Sequence, residues 1–396
     1  QREREAQHLS RSRWVALGRC APEQRSYPQG NQPQNARTLL SFCSNDYLGL
    51  ANHPALTDAL LAGVGQWAGG AGASHLVSGH TQAHADLEDR LSTWMRPFIP
   101  NAQAISFCTG YMANLALMTT LGSREASIFA DKLCHASIID GALLAQAQFQ
   151  RYPHGRLDVL QSQLERCTTP IKLIATDTVF SMDGDLADLP ALLGLAERFD
   201  AWLMVDDAHG FGVLGQTGRG TLEHFALSSS RLMVMGTLGK AAGLAGAFVA
   251  ADPVIVNALI QSARSYIYTT AQPPALAHAL LTSLALIESE EGTQRRTHLA
   301  TLISTLRDGL SSLLAQYPQA GWRLAPSNTP IQPLIVGHNQ AALDLADALG
   351  AQGIRVPAIR QPTVPAGSAR LRISLSAAHR LDDVQRLLQA LAKAMA

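Results

Sequence analysis

The sequence predicts an α/β protein, with a large and mostly parallel sheet followed by a second, smaller α/β unit. Two observations predict it. From about residue 103, short apolar runs alternate with helical patterns, and the runs are continuous rather than alternating in polarity. Strands buried on both faces give uninterrupted runs, and helices between them supply the crossovers that parallel neighbours need.

Taken in order, AISF (104–107) precedes a glycine and an amphipathic stretch from Tyr111 to Leu121. SIFA (127–130) leads into HASIIDGALLAQ, KLIATDTV (172–179) into ALLGLAERF, and AWLMV (201–205), LMVM (232–235) and GAFVA (246–250) complete the core. Helical periodicity over Pro274–Glu290 and Thr293–Leu314 leads away from it. IQPLIVG (331–337), NQAALDLADALGAQG, IRVPAI, ARLRISLS (369–376) and DDVQRLLQALAKAM then form the smaller unit. The expected division is an N-terminal segment over 1–45, a large domain over 46–290 and a small domain over 291–396. The Pro/Gln/Asn-rich stretch 28–36 reads as a loop, and no repeat is present.

Composition narrows the function. The 396 residues are 47% hydrophobic and 16% charged with zero formal net charge, which suits an enzyme-sized globule. No basic field recommends nucleic acid as a partner. The longest weakly charged stretch, 232–251, carries Lys240 and several glycines, so no membrane span is expected. The opening QREREAQHLSRSR lacks the apolar core of a signal peptide, and the five cysteines are widely spaced without a Cys-x-x-Cys pair. These features predict a cytoplasmic protein with free thiols and no metal site.

Lys240 sits in GTLGKAAGLAGAF as the only charged residue between Arg231 and Asp252. It is not a nucleotide-loop lysine, because that pattern needs glycine where Val234 stands and a hydroxyl residue where Ala241 stands. Gly210, Gly212 and Gly215 satisfy G-x-G-x-x-G after AWLMV, yet the chain continues as GQTGRGTLEHF rather than opening a helix, which argues against a dinucleotide site. VDDAH (205–209) is more informative. It places Asp206, Asp207 and His209 at the carboxyl end of a buried strand, where open α/β sheets bind ligands. Taken singly, each would read as a turn cap or a hydrogen-bonded core residue.

Together with Lys240 they match the needs of pyridoxal phosphate. Its ring withdraws electrons only while the pyridine nitrogen stays protonated, which a buried aspartate secures. Its aldehyde needs a lysine that can lose its proton, and desolvation among apolar neighbours favours that loss. Its phosphate needs amides at a helix start, and TGYMAN (109–114) offers Gly110 and Tyr111. His135, in DKLCHAS, follows another strand and can place an imidazole over the ring.

VDDAHGFGVLGQTGRG and TLGKAAGLAGA resemble the α-oxoamine synthases, pyridoxal-phosphate enzymes of the aspartate-aminotransferase-like fold (fold type I). The similarity extends through FCSNDYLGL (42–50), SHLVSGHTQAHADLE (74–88), FSMDGD (180–185), YIYTTAQPP (266–274) and QPTVPAGSARLRISLSAAH (361–379). The resemblance implies that Lys240 holds the cofactor covalently, that Asp206 partners the pyridine nitrogen, and that Asp207 is structural. His209 and Ser181 would meet the phenolic oxygen, His135 and Ala208 would cover the two ring faces, and Gly110, Tyr111 and Thr237 would hold the phosphate. It further implies a homodimer in which Thr269 or Thr270 reaches the neighbour's phosphate, although those threonines also suit a helix cap before Pro273.

For the substrate it implies Arg372 as the clamp on an amino-acid carboxylate, with Arg370 on the same strand face. Asn45, Ser78, His80 and Thr363 would line the substrate site. IQPLIVGHN and AIRQPTVPAGSARLR are most similar to members that condense L-alanine with a pimeloyl thioester, on coenzyme A or acyl carrier protein, in biotin biosynthesis. The implied catalytic set is Lys240, Asp206 and His135, and the imidazole of the last is able to donate a proton or a hydrogen bond to the thioester oxygen. Glycine with acetyl- or succinyl-CoA, serine with a long acyl thioester, or a catalytically silent binding partner are the competing readings.

Overall fold

The computed structural model describes residues 13–395. Of the charged opening stretch only Arg13 falls among them, so the reading of residues 1–12 lies outside the described residues. The chain forms two compact units. The smaller gathers the described residues of Gln1–Asn52, with Ser181–Asp185 and Gln294–Ala396; the larger comprises His53–Phe180 and Leu186–Thr293.

In the smaller unit β1 (Trp14–Ala16), β2 (Glu23–Pro28) and β3 (Arg37–Ser41) form an antiparallel ribbon. These strands are short and half exposed, and the apolar runs that mark the other strands are absent from them.

The larger unit carries β4 (Gln103–Phe107), β5 (Ala126–Asp131), β6 (Gln148–Tyr152), β7 (Ile171–Asp177), β8 (Trp202–Asp206), β9 (Leu232–Thr237) and β10 (Ala247–Ala251). They make one sheet in the order β4-β10-β9-β8-β7-β5-β6. Strands β9, β8, β7, β5 and β6 run parallel, and β10 is antiparallel to both its neighbours. The sheet is therefore mostly parallel, as expected, with β10 reversed for a simple reason. Residues 238–246 are too few for a crossover helix, so the chain must turn back on itself. Gly243 (φ 73°) and Gly246 (φ 111°) give that turn its left-handed positions. Lys240 lies within it. Strand β6, QFQRY, escapes the apolar-run criterion because it is an edge strand with polar, partly exposed residues.

The C-terminal part of the smaller unit holds β11 (Arg323–Leu324), β12 (Ile331–Gly337), β13 (Ile354–Arg355), β14 (Ala358–Ile359) and β15 (Ala369–Ser374). Strand β13 pairs in parallel with β3, while the other four form a sheet in the order β11-β12-β15-β14. Every residue of β15 is buried, including Arg370 and Arg372. The long helical region is two helices, Pro274–Glu288 and Glu290–Gln316, divided at the extended residue Ser289. Among the described residues no helix is long and apolar enough to cross a membrane.

Two carboxylates, the buried Asp207 and the half-buried Glu88, secure the larger unit. Asp207 accepts from Thr178 Oγ1 at 2.6 Å, from the Thr221 amide at 2.9 Å and from Thr221 Oγ1. A Cβ at Gly220 (φ 93°) would fall 1.9 Å from Asp207 Oδ2, so the glycine-rich run here serves close packing around this carboxylate. On the helix Gln82–Met95, Glu88 Oε1 accepts from the amide and hydroxyl of Ser106 in β4, at 2.8 and 2.7 Å. Burial pushes the Glu88 carboxyl up to about 7.

Asp207→Ala strands three donors and should lower the urea-unfolding free energy by about 3 kcal/mol; an unchanged midpoint would refute the staple role. For Glu88 the folded state holds a proton that the unfolded chain has released between about pH 4.5 and 7. Its contribution to stability is thus greatest below that window and falls as pH rises through it. Glu88→Gln keeps the acceptor and removes the titration, so urea midpoints measured across the window should decline less steeply in the variant than in the parent protein.

Candidate active site

Residues from the carboxyl ends of the parallel strands meet in one pocket of the larger unit, with a volume of about 160 Å³. A cavity of roughly that size takes up one benzene ring. Gly110, Tyr111, His135, Asp206, Ala208, His209, Thr237 and Lys240, expected from the sequence, all line it. So do Asn114, Ser137, Asp177 and Met235, which sequence reasoning did not single out.

Each wall has a local cause. Thr109 caps the helix Gly110–Leu121 by accepting the Met112 amide at 3.3 Å. This leaves the Gly110 and Tyr111 amides without a partner among the described residues, at the helix end that favours anions. A Cβ at Gly110 would press on Met235 Cε and Sδ at 3.3 Å, so glycine keeps this approach open. Tyr111 donates its hydroxyl to Asp140 Oδ2. Thr237 closes strand β9, its hydroxyl donating to Gly246 O at 3.2 Å across the turn that carries Lys240.

Asp206 ends β8 and is buried. Its Oδ2 accepts from Asn114 Nδ2 at 2.7 Å and its Oδ1 from the Ala208 amide at 3.0 Å. Asp177 ends β7 directly opposite Asp206 in the ladder, and its Oδ1 accepts the His135 amide at 3.0 Å. Burial, then the charge of Asp206, hold the Asp177 carboxyl well above the ordinary carboxylate range. Two buried acids side by side make the pocket a natural seat for a cationic nitrogen. Lys240 Nζ lies 2.8 Å from His209 Nε2. His135 caps the helix Ala136–Leu144, its Nδ1 accepting the Ser137 amide at 3.3 Å and lying 2.7 Å from Ser137 Oγ.

The remaining expected residues lie elsewhere. Within the larger unit, Ser78 and His80 are in or beside the turn His75–Gly79, and His80 Nδ1 is 3.0 Å from His75 Nδ1. Thr269 and Thr270 follow the helix Arg264–Ile267, and Thr270 O accepts from Cys108 Sγ at 3.3 Å. None of these four lines the pocket.

Ser181, Asn45, Arg372 and Thr363 belong to the smaller unit. There Arg372 donates to Ser181 O at 2.6 Å, Ser374 Oγ at 2.7 Å and Asn45 Oδ1 at 3.3 and 3.4 Å. Thr363 is exposed, its amide donating to Arg360 O at 3.0 Å. The two strand arginines differ. Arg370 pairs with Asp183 at 2.6 Å, whereas the partners of Arg372 among the described residues are all neutral. A buried guanidinium held only by neutral groups favours a carboxylate ligand.

Signals for the missed residues did exist. Asn114 stands one helical turn after Gly110 within TGYMAN and so shares its face. Asp177 ends its apolar run just as Asp206 ends the next, and Ser137 follows His135 by two.

The chain matches the family model described as aminotransferase class I and II over residues 37–391. It is 67% identical to 8-amino-7-oxononanoate synthase of Leptothrix cholodnii, with 99% of this chain and 96% of the relative covered. A solved SPT with PLP superposes with a TM-score of 0.87 at 27% identity, covering 96% of this chain and 92% of that one. The solved 8-amino-7-oxononanoate synthase of Francisella tularensis gives 0.75 at 33% identity, covering 90% and 97%. The chain belongs to the class I and II aminotransferase family and, within it, to the 8-amino-7-oxononanoate synthases.

Proposed function

We propose that the protein is a pyridoxal-phosphate-dependent acyltransferase that condenses L-alanine with a pimeloyl thioester, on coenzyme A or acyl carrier protein. The products are 8-amino-7-oxononanoate, carbon dioxide and the free thiol, a step of biotin biosynthesis. The observation that carries this reading is the meeting of Lys240, Asp206, His209 and His135 in one pocket of a chain two-thirds identical to an 8-amino-7-oxononanoate synthase. The pocket fits the cofactor: it has unpartnered helix-start amides for a phosphate, buried acids for a cationic ring nitrogen, and one amine beside an imidazole.

When bound, pyridoxal phosphate supplies an electron sink for the carbon next to the substrate's nitrogen. Asp206 keeps the ring nitrogen protonated, and Asn114 and the Ala208 amide fix that carboxylate in place. Gly110, Tyr111 and Thr237 hold the phosphate, Ala208 packs on the ring, and His209 and Ser181 meet the phenolic oxygen. Arg372 binds the carboxylate of alanine with its planar fork, and Asn45, Ser78, His80 and Thr363 line the substrate site. Lys240 Nζ takes the α-proton, with His209 orienting the amine. His135 donates a hydrogen bond to the thioester oxygen as the new carbon–carbon bond forms and the thiol departs.

The protein acts as a cytoplasmic homodimer, residues 46–290 forming the cofactor domain, and Thr269 or Thr270 meets the neighbour's phosphate. Exposed Val77, Leu143 and Leu144, at 79%, 68% and 67%, support an apolar interface, and the free cysteines fit a reducing compartment.

Purified protein with pyridoxal phosphate and pimeloyl-CoA should yield 8-amino-7-oxononanoate by mass spectrometry with L-alanine, and much less product with glycine or L-serine. Turnover of glycine with acetyl-CoA alone would refute the substrate assignment. Arg372→Lys keeps the charge and loses the fork, so steady-state kinetics should show KM for L-alanine rising by about tenfold or more.

A further inference from the structure

We propose that Asn114 and Ser137 are positioning residues that join Asp206 to His135 through a one-way hydrogen-bond relay, which fixes His135 as the Nε2–H tautomer. The inference rests on the cofactor and substrate reading above. It deepens that reading by stating what makes His135 a donor.

The direction of the relay follows from the donors available. Asn114 is fully buried, and its Nδ2 carries two hydrogens, one for Asp206 Oδ2 at 2.7 Å and one for Ser137 Oγ at 2.8 Å. An amide nitrogen accepts nothing, so Ser137 Oγ must be the acceptor in that contact. Reversing the amide would set Asn114 Oδ1 against the carboxylate, which already accepts the Ala208 amide. The carboxylate thus chooses the orientation of Asn114, and Oδ1 stays buried without a partner.

Ser137 Oγ keeps a second lone pair, but the backbone amide of Ser137 already donates to His135 Nδ1 at 3.3 Å, so that nitrogen is an acceptor and the hydroxyl hydrogen points to it, 2.7 Å away. Two donors on Nδ1 leave it no place for a proton of its own, so neutral His135 carries its hydrogen on Nε2. The His135 amide is tied to Asp177 Oδ1 at 3.0 Å, which fixes the backbone from a third side. Nε2 has no partner among the described residues, so its hydrogen is available to a substrate oxygen.

The relay gives Asp206 a second task. By orienting Asn114 it sets the polarity of a chain that ends at the acyl-handling histidine, so one carboxylate at the end of β8 also prepares a side chain that caps the helix Ala136–Leu144. Ser137→Ala removes the hydroxyl link and leaves Asp206, Asn114 and the helix amide in place.

The test labels the full-length protein with 15N-histidine and reads the His135 ring nitrogens by NMR, with and without pyridoxal phosphate, assigning them by their loss in His135→Phe. The parent protein should hold the proton on Nε2 in both states. Ser137→Ala should mix the tautomers and lower kcat about tenfold, the usual cost of losing an outer hydrogen-bond partner, with cofactor Kd and L-alanine KM unchanged. Ser137→Thr should restore both the tautomer and kcat. A parent His135 protonated on Nδ1, or a Ser137→Ala protein with parental tautomer and kcat, would overturn the relay. So would a fall in kcat accompanied by loss of cofactor binding, which marks a merely structural serine. Failure of the parent protein to bind pyridoxal phosphate would sink the functional reading, while the tautomer in cofactor-free protein would still judge the relay.

Discussion

A buried carboxylate at the end of a central parallel strand is the constraint around which this site is organised. Asp206 has left water, and ladder pairing sets a second buried acid, Asp177, opposite it. Burial, and after it the neighbouring Asp206, push the Asp177 carboxyl well above the ordinary carboxylate range. What makes Asp206 tolerable is specific: an asparagine amide, a backbone amide and a lysine-bearing turn delivered to the same pocket. A cationic ring nitrogen would complete the compensation, which is why the pocket's electrostatics and its proposed cofactor agree.

The sheet topology delivers these groups. Parallel strands bring their carboxyl ends to one edge, so Asp177 and Asp206 share a level without any sequence relation between them. Reversal of β10 then supplies the other half of the arrangement. A crossover helix after β9 would have carried the chain away, whereas the turn built on Gly243 and Gly246 keeps Lys240 at the mouth of the same edge. Asp207, one residue beyond Asp206, faces a different set of partners and fastens the loop that holds His209. Adjacent aspartates thus have separate work, one toward the pocket and one toward the fold.

Much of this is legible in the sequence because strong local signals coincide with the pocket. Lys240 stands out as a lone charge in an apolar, glycine-rich run, and Asp206 and His209 stand out at the end of another such run. The buried strands were legible for the same reason. Asn114, Ser137 and Asp177 were not, since a buried polar residue near a strand or helix end has many ordinary explanations. Their meaning comes from register and from hydrogen bonds between residues 23 to 92 positions apart. Likewise β1–β3 and β6 lack continuous apolar runs, and periodicity alone does not distinguish the reversed β10 from its parallel neighbours. Arg372 was legible only by resemblance; its neutral surroundings became visible with the structure.

On the proposed function one amine, that of Lys240, is the point at which the pocket takes hold of its cofactor. Borohydride reduction of the protein in the presence of pyridoxal phosphate, followed by peptide mass mapping, tests it directly. One stoichiometric phosphopyridoxyl group is expected, on Lys240. Stoichiometric labelling of Lys132, Lys172 or Lys393, or no labelling at all, would contradict it.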